Sequence, residues 1–213
     1  MESKFLDKLM NSSITKEKLV QTAIQKPTLI PEILTGVSSS KPVIRYGCGK
    51  ILLEISKDDP ELLYPHIDFF IALLDSKYRI LTWNAIIIIA NLTKVDTEKK
   101  FDKIFEKYFR LLENDYMVTV ANVVGNSWKI AVAKPYLTTK ITDKLLTMEH
   151  RLTTPHLSEE CKRVIYEHAI SSFDVFFPQI EQKEKVLMFV KQQLTSSRGS
   201  LKRSAEKFLK KWG

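Results

Sequence analysis

The sequence predicts an all-α fold built from stacked helix pairs. Apolar residues recur at helical spacing, as in Leu201, Ala205, Phe208 and Trp212, which form one continuous stripe on a helix. The 213-residue chain contains only six glycines, whereas an all-β protein of this length would need many tight turns. Prolines stand at or near the start of several helical patterns, where the missing N–H has no energetic cost. Together these features favour helices over strands throughout the chain.

Composition and terminal signals point to an ordinary globular protein of the cytosol. The chain is 44% hydrophobic and 27% charged, which is typical of a folded domain. The first residues carry Glu2 and no uninterrupted apolar stretch, so we expect no signal peptide. The longest apolar run, residues 80–92, is too short to span a membrane. Cys48 and Cys161 both lie in apolar periodic segments, where free buried thiols are expected.

The elements pair along the chain in order. Residues 1–26 are predicted to form one or two capping helices, and residues 27–213 to form about five stacked helix pairs within a single 1–213 domain. The predicted pairs, each a first and a second helix, are 27–37 with 41–56, 60–74 with 78–92, 97–112 with 116–132, 136–150 with 158–172, and 178–194 with 199–211. Polar connectors of about three residues join most of them, which makes consecutive helices antiparallel neighbours.

Local sequence bears on the start of one helix and on the type of another element. Thr97 is the predicted N-cap of the helix that follows it, with Glu98 in the first turn. The run Ile86–Ile89 has a local preference for a strand. It lies within about fifteen residues that lack glycine and proline, so we predict a central helix covered by its neighbours. A strand is the alternative for this element alone.

A small residue recurs in the second helices. Cys48, Ala85, Ala121 and Ala205 are assigned to this position, separated by 37, 36 and 84 residues, the last being two repeats of 42. Basic residues precede it in Arg45–Cys48 and in Lys202–Ala205, whereas Thr82 and Val118 depart from that pattern. Over residues 27–213 the chain resembles HEAT and armadillo repeat proteins. The resemblance implies an α-α superhelix, a HEAT-like solenoid in which each pair buries its apolar surface against the next.

No catalytic, cofactor or metal motif stands out. Four residues, His150, His156, Cys161 and His168, fall within nineteen positions, but their spacings match no reproducible zinc motif. There is no nucleophile elbow and no phosphate-binding glycine loop. We therefore expect no catalytic residue, no cofactor and no metal.

The resemblance directs attention to the second helices, which in HEAT-like solenoids line the concave face. The large or polar residues of these helices are Arg45, Tyr46, Trp83, Asn84, Asn122, Asn126, Trp128 and Lys129. Asn122, Asn126 and Lys129 are spaced to share one helix face. As a binding surface, these side chains would contact a partner. In the alternative interpretation the tryptophans fill gaps between repeats and the asparagines are simply solvated.

The first functional hypothesis is a non-enzymatic interaction or scaffold module that binds a protein along its concave face. The second is a nucleic-acid-binding solenoid similar to bacterial alkylpurine DNA glycosylases, because the chain is basic and Ser127–Trp128 resembles part of their motif. No acidic residue lies between Asp115 and Asp143 to supply the catalytic carboxylate of those enzymes. The net charge of +8 is also localised, since residues 191–213 hold seven basic residues and one acidic residue.

Overall fold

The computed structural model describes residues 4–11, 14–148, 152 and 155–213. Within these residues the regular structure is helical and no strand occurs. The chain divides into two compact units, Met1–Phe101 (unit 1) and Asp102–Gly213 (unit 2). The all-α prediction is confirmed, and the single-domain organisation stays a prediction.

Unit 1 begins with two short helices that pack against a later one. They are α1 (Lys4–Met10) and α2 (Lys16–Gln25), and both contact α4. The remaining helices of unit 1 are α3 (Ile30–Gly36), α4 (Pro42–Asp58), α5 (Pro60–Leu63), α6 (Ile67–Leu73) and α7 (Arg79–Leu92). The N-terminal capping helices are therefore present as predicted, each shorter than three turns.

Unit 2 continues the same alternation of first and second helices. Its helices are α8 (Lys100–Arg110, whose first two residues belong to unit 1), α9 (Met117–Ala133), α10 (Thr138–Leu146), α11 (Glu159–Phe176), α12 (Lys183–Gln192) and α13 (Gly199–Trp212). Single 3₁₀ turns precede or extend several helices, including Pro135–Leu137 and Phe177–Gln179. Pro178 thus lies in a 3₁₀ turn, and the helix predicted to start there begins at Lys183. His150 lies outside the described residues.

The second helices form the core of each unit. In unit 1, α4 packs against α7, and in unit 2, α11 packs against both α9 and α13. Their contact surfaces are almost completely buried, for example at Cys48, Ile89, Val123 and Phe173. Each such aliphatic or aromatic side chain stabilises the fold by about 1.5–3 kcal/mol, so stacking of the second helices is a large term in stability.

The isoleucine run is helical, as predicted. Ile86, Ile88 and Ile89 are buried in α7, and Ile87 is half-buried on its open side. Neighbours on several sides favour the helix over the strand preference of these residues, because burying the isoleucines outweighs their weak local propensity.

The position of the small residue is wrong in one repeat. The second helices begin at residues 42, 79, 117, 159 and 199, and the buried position six residues later holds Cys48, Ala85, Val123, Ile165 and Ala205. Ala121 is half-buried instead. The repeat spacing is therefore 37, 38, 42 and 40 residues, and unit 2 accepts a larger side chain at two of these positions.

The N-cap assignment at Thr97 is also wrong. The helix α8 begins at Lys100, and the Asp96 carboxylate accepts hydrogen bonds from the backbone N–H groups of Lys100 (2.8 Å) and Phe101 (3.0 Å). Lys99 adopts a left-handed backbone with φ of 54°. The Tyr64 hydroxyl donates to the same carboxylate at 2.6 Å, so Asp96 also joins the start of α8 to Tyr64 within unit 1.

Candidate binding surfaces on the second helices

Each unit presents one open side of its second helices. The unit 1 face comprises Val43, Tyr46 and Lys50 of α4 with Ile80, Trp83, Asn84 and Ile87 of α7. The unit 2 face comprises Val118, Asn122, Lys129 and Val132 of α9, His168, Ser171 and Val175 of α11, and Ser204, Lys207 and Lys211 of α13. Both faces mix exposed valine or isoleucine with amides and lysines. The two faces therefore combine apolar area with groups that can donate or accept hydrogen bonds.

Arg45 is placed beneath the unit 1 face. It is 6% exposed, and its guanidinium donates to the Ser39 and Ser40 carbonyl oxygens at 2.8 and 3.3 Å. The guanidinium carbon also lies 3.9 Å from the centre of the Tyr78 ring. These contacts hold the loop before α4 and the start of α7 together. Arg45 therefore acts on this surface by supporting it.

Tyr46 extends this aromatic arrangement to the surface. Its ring is half-buried and meets the Tyr78 ring edge to face at a centroid distance of 6.2 Å. The Arg45 guanidinium lies 4.8 Å from the centre of the Tyr46 ring. Tyr46 is therefore held in one orientation, and part of its ring stays available to solvent.

Asn84 lies where α7 crosses α4. A side chain at Gly49 would place its Cβ 3.0 Å from the Asn84 amide nitrogen, so the glycine allows the close approach. The side-chain amide of Asn84 is half-buried and makes no hydrogen bond to any described residue. Trp83 is half-buried on the other edge of α7. The unit 1 face thus places an unused amide between apolar neighbours.

The asparagines of α9 lie on one edge of the unit 2 face. The Asn126 amide donates to the Asn122 carbonyl oxygen one turn earlier, at 2.8 Å. The Asn122 side-chain amide is half-buried and has no hydrogen-bond partner among the described residues. Lys129 follows on the same stretch of helix, and α9 contains no carboxylate. This edge can therefore both donate and accept hydrogen bonds.

Trp128 lies on the opposite edge of α9, toward α11. The α9–α11 contact on that side is close, because the Ser172 hydroxyl donates to the Val124 carbonyl oxygen at 2.6 Å. A Cβ at Gly125 would come within 3.2 Å of His168 Nδ1. Trp128 is half-buried, and Lys129 Nζ lies 5.9 Å from the centre of its ring. The indole is therefore packed between helices while part of it reaches the surface.

A line of carboxylates on α11 was not among the residues predicted from the sequence. Glu160, Glu167 and Asp174 are spaced by seven residues, so they lie on one helix edge. Arg198 pairs with both Glu160 and Glu167, the latter at 3.2 Å, and it holds the pKa of Glu160 below its usual range. The heptad spacing of the acids is the signal that could have predicted this contact.

The far end of this line fixes the C-terminus of α13. Asp174 Oδ1 accepts hydrogen bonds from Lys211 Nζ at 2.9 Å and from the Trp212 indole N–H at 2.6 Å. Partial burial alone would raise the pKa of Asp174, but these two donors hold it below its ordinary value. Lys211 is therefore neutralised locally, and Lys207 one turn earlier makes no ion pair or hydrogen bond with another described residue.

Other chemistry is not assembled on these surfaces. Within the described residues, no three His, Cys, Asp or Glu side chains are grouped closely enough to hold a metal ion. Ser127, part of the glycosylase-like dipeptide, is buried and donates its hydroxyl to the Val123 carbonyl oxygen at 2.7 Å. The described helices include none that is both long and apolar enough to cross a bilayer.

Comparison with known proteins identifies the fold. No protein-family model and no curated protein matches the chain. A designed armadillo repeat protein aligns with a TM-score of 0.60 at 17% identity, covering 92% of this chain and 87% of its own. A second, computationally designed for modular peptide recognition, aligns with a TM-score of 0.60 at 16% identity over 99% of both chains. A third, in complex with the peptide (KR)4, gives 0.57 at 14% identity over 98% and 91%. The chain therefore has the fold of an armadillo or HEAT-like repeat solenoid, an all-α superhelix.

Proposed function

We propose that this chain is a non-enzymatic interaction module that captures a protein segment on the open faces of its second helices. One observation carries the proposal. The side-chain amides of Asn84 and Asn122 are half-buried and make no hydrogen bond with another described residue. Both stand on helices, α7 and α9, that contain no carboxylate.

The proposal has a physical reason: an asparagine side-chain amide can both donate and accept hydrogen bonds. An extended segment carries one backbone N–H and one C=O per residue, and these groups need partners when the segment leaves water. Amides on rigid helices can supply such partners without ordering a loop. The neighbouring valines, isoleucines and tryptophans supply apolar contact area for alternate side chains of the segment.

The structural neighbours support a binding role in general terms. One of them was designed for modular peptide recognition, and another is in complex with a peptide. Both are properties of those proteins. The free thiols Cys48 and Cys161 fit a reducing compartment, so we place the module in the cytosol. Catalysis has no part in the proposal.

Nucleic-acid binding is the second candidate, and one observation favours it. The exposed side of α13 carries Lys202, Arg203, Lys207 and Lys210 against the single acid Glu206. Phosphate contacts require only such cations. The open faces, however, combine few cations with exposed valines, which have no counterpart on a phosphate backbone.

The test is selection from a library of displayed peptides on the purified chain, followed by affinity measurement with variants. We expect Asn84→Ala combined with Asn122→Ala to weaken the selected peptide by tenfold to about a hundredfold, because both half-buried amides of the open faces are removed. The helical CD signal should remain unchanged.

A matched control uses an amide elsewhere. Gln192 is exposed at the end of a first helix, α12, and Gln192→Ala should change the affinity by less than about twofold. Failure to select any peptide, or equal effects of the two sets of variants, would contradict the proposed function.

A further inference from the structure

A notch between α11 and α13 is the one feature of the unit 2 face that points to a particular ligand chemistry. It encloses about 210 Å³ and has an apolar floor of Ile170 and Phe208. Ser204, Lys207 and Lys211 line its rim together with Asp174. The notch is therefore large enough for one side chain that is aliphatic near its base and polar at its tip.

Most charged groups around the notch are already paired, but Lys207 is not. The Asp174 carboxylate is occupied by Lys211 and Trp212, and Glu160 and Glu167 further along α11 are paired with Arg198. Lys207 is exposed and pairs with no carboxylate among the described residues. The Ser204 hydroxyl likewise makes no hydrogen bond to a described residue. One ammonium and one hydroxyl thus remain able to bind an incoming anion.

Outside the notch, the unit 2 face also carries a positive charge. Lys129 is the only charged residue of α9, and its Nζ lies 5.9 Å from the centre of the Trp128 ring. Val118 and Val132 of α9 and Val175 of α11 are exposed on the same face. An occupant that complements this surface carries negative side chains at intervals, with apolar side chains between them.

We propose that the unit 2 face recognises an acidic protein segment, in which aspartate or glutamate alternates with apolar residues and one carboxylate enters the notch to bind Lys207. The proposal rests on the proposed function and specifies the class of partner. The methylene groups of a glutamate lie on Ile170 and Phe208, and its carboxylate accepts hydrogen bonds from Lys207 Nζ and the Ser204 hydroxyl.

A nucleic acid fits this surface less well. Its phosphates form a dense, regular array that needs a matching array of cations. The unit 2 face has three lysines, and Lys211 is already paired with Asp174. The exposed valines would also stay solvated.

The experiment uses the full chain and three fluorescent fourteen-residue peptides with the same leucines and with glutamate, glutamine or lysine at the remaining positions. By fluorescence anisotropy in 50 mM KCl, we expect the glutamate peptide to bind at least tenfold more tightly than the glutamine peptide, and the lysine peptide not to bind. Affinity for the glutamate peptide should fall at 300 mM KCl, because salt screens exposed charges.

Reversing the charge of Lys207 tests whether this residue contacts the peptide. Lys207→Glu should weaken the glutamate peptide at least tenfold and leave the glutamine peptide within twofold. Lys202→Glu is the matched control, since Lys202 is also exposed on α13 but does not line the notch, and the net charge changes equally. We expect it to weaken binding by less than threefold.

Each contrary outcome has a distinct meaning. Equal weakening by Lys202→Glu and Lys207→Glu overturns the notch as the site. Equal affinity for the glutamate and glutamine peptides, or a preference for lysine, overturns the acidic partner while leaving peptide capture intact. Tighter binding of a duplex DNA than of the glutamate peptide, with the same loss in Lys207→Glu, overturns the proposal in favour of nucleic acid.

Discussion

Replacing Asp102 by alanine should lower the free energy of unfolding by about 2–3 kcal/mol, because it removes a carboxylate beside a buried ammonium. The Lys134 side chain is 4% exposed, and its Nζ lies 3.2 Å from Asp102 Oδ1. Tyr136 joins them, with its hydroxyl 3.0 Å from Asp102 and 3.1 Å from Lys134 Nζ. The loss should be measured by urea denaturation followed by far-UV circular dichroism.

The control for this prediction removes the charge as well. In Asp102→Ala combined with Lys134→Met, no ammonium is left in the buried position, and the methionine stem keeps much of the lysine's packing. We expect the double variant to regain at least half of the lost stability. A double variant as unstable as Asp102→Ala alone would show that packing, and not charge, sets the effect.

Asp96→Ala is expected to have a similar effect, about 2–3 kcal/mol, through the loss of a helix cap and a buried acceptor. One carboxylate accepts from two backbone N–H groups at the start of α8 and from the Tyr64 hydroxyl. Asp96→Asn retains one oxygen acceptor and should lose about half as much. Thermal and urea unfolding of both variants would measure this, and a loss below 0.5 kcal/mol for alanine would contradict the assignment of Asp96 as the cap.

The same contact predicts a dependence on alkaline pH. Burial, together with the hydrogen bond to Asp96, raises the pKa of Tyr64 to about 12. In the unfolded chain the phenol ionises near pH 10. The contribution of Tyr64 is therefore complete below pH 10 and is lost between pH 10 and 12. The stability advantage of the native chain over Tyr64→Phe should shrink across that interval and remain constant from pH 7 to 9.

Periodicity was sufficient to predict the order of helices, but local sequence did not fix their ends. Asp96 and Thr97 are both good N-cap residues, and the chain around them has no feature that separates the two. The choice depends on Tyr64, thirty-two residues earlier, whose hydroxyl reaches Asp96. Because this contact joins residues that are far apart in the sequence, it is not visible in a local pattern.

The register of the repeats was also only partly predictable from local sequence. Ala121 matches the expected small residue, but the buried position six residues into α9 holds Val123. The close approach to Cys48 requires a small residue at Gly36, where a Cβ would lie 2.5 Å from Cys48 Sγ. Helix separation can increase to fit valine instead, so residue size alone does not define the register.

The candidate surfaces were partly accessible from sequence. Spacing on a helix places Asn122, Asn126 and Lys129 on one stretch of α9, and Trp83 and Asn84 on α7. It does not reveal that the Arg45 guanidinium turns inward, because its partners are the Ser39 and Ser40 carbonyl oxygens and the ring of Tyr78. Whether any of these residues contacts a partner stays a prediction.

The most direct measurement of the central claim follows side-chain amides by ¹⁵N–¹H NMR while a selected peptide is added. If the second helices capture the segment, the Asn84 or Asn122 amide signals should shift in a saturable manner, and the Gln192 signal should stay constant. Saturable binding that shifts Gln192 and leaves both asparagines unchanged would contradict the account, since the segment would then lie on the first helices.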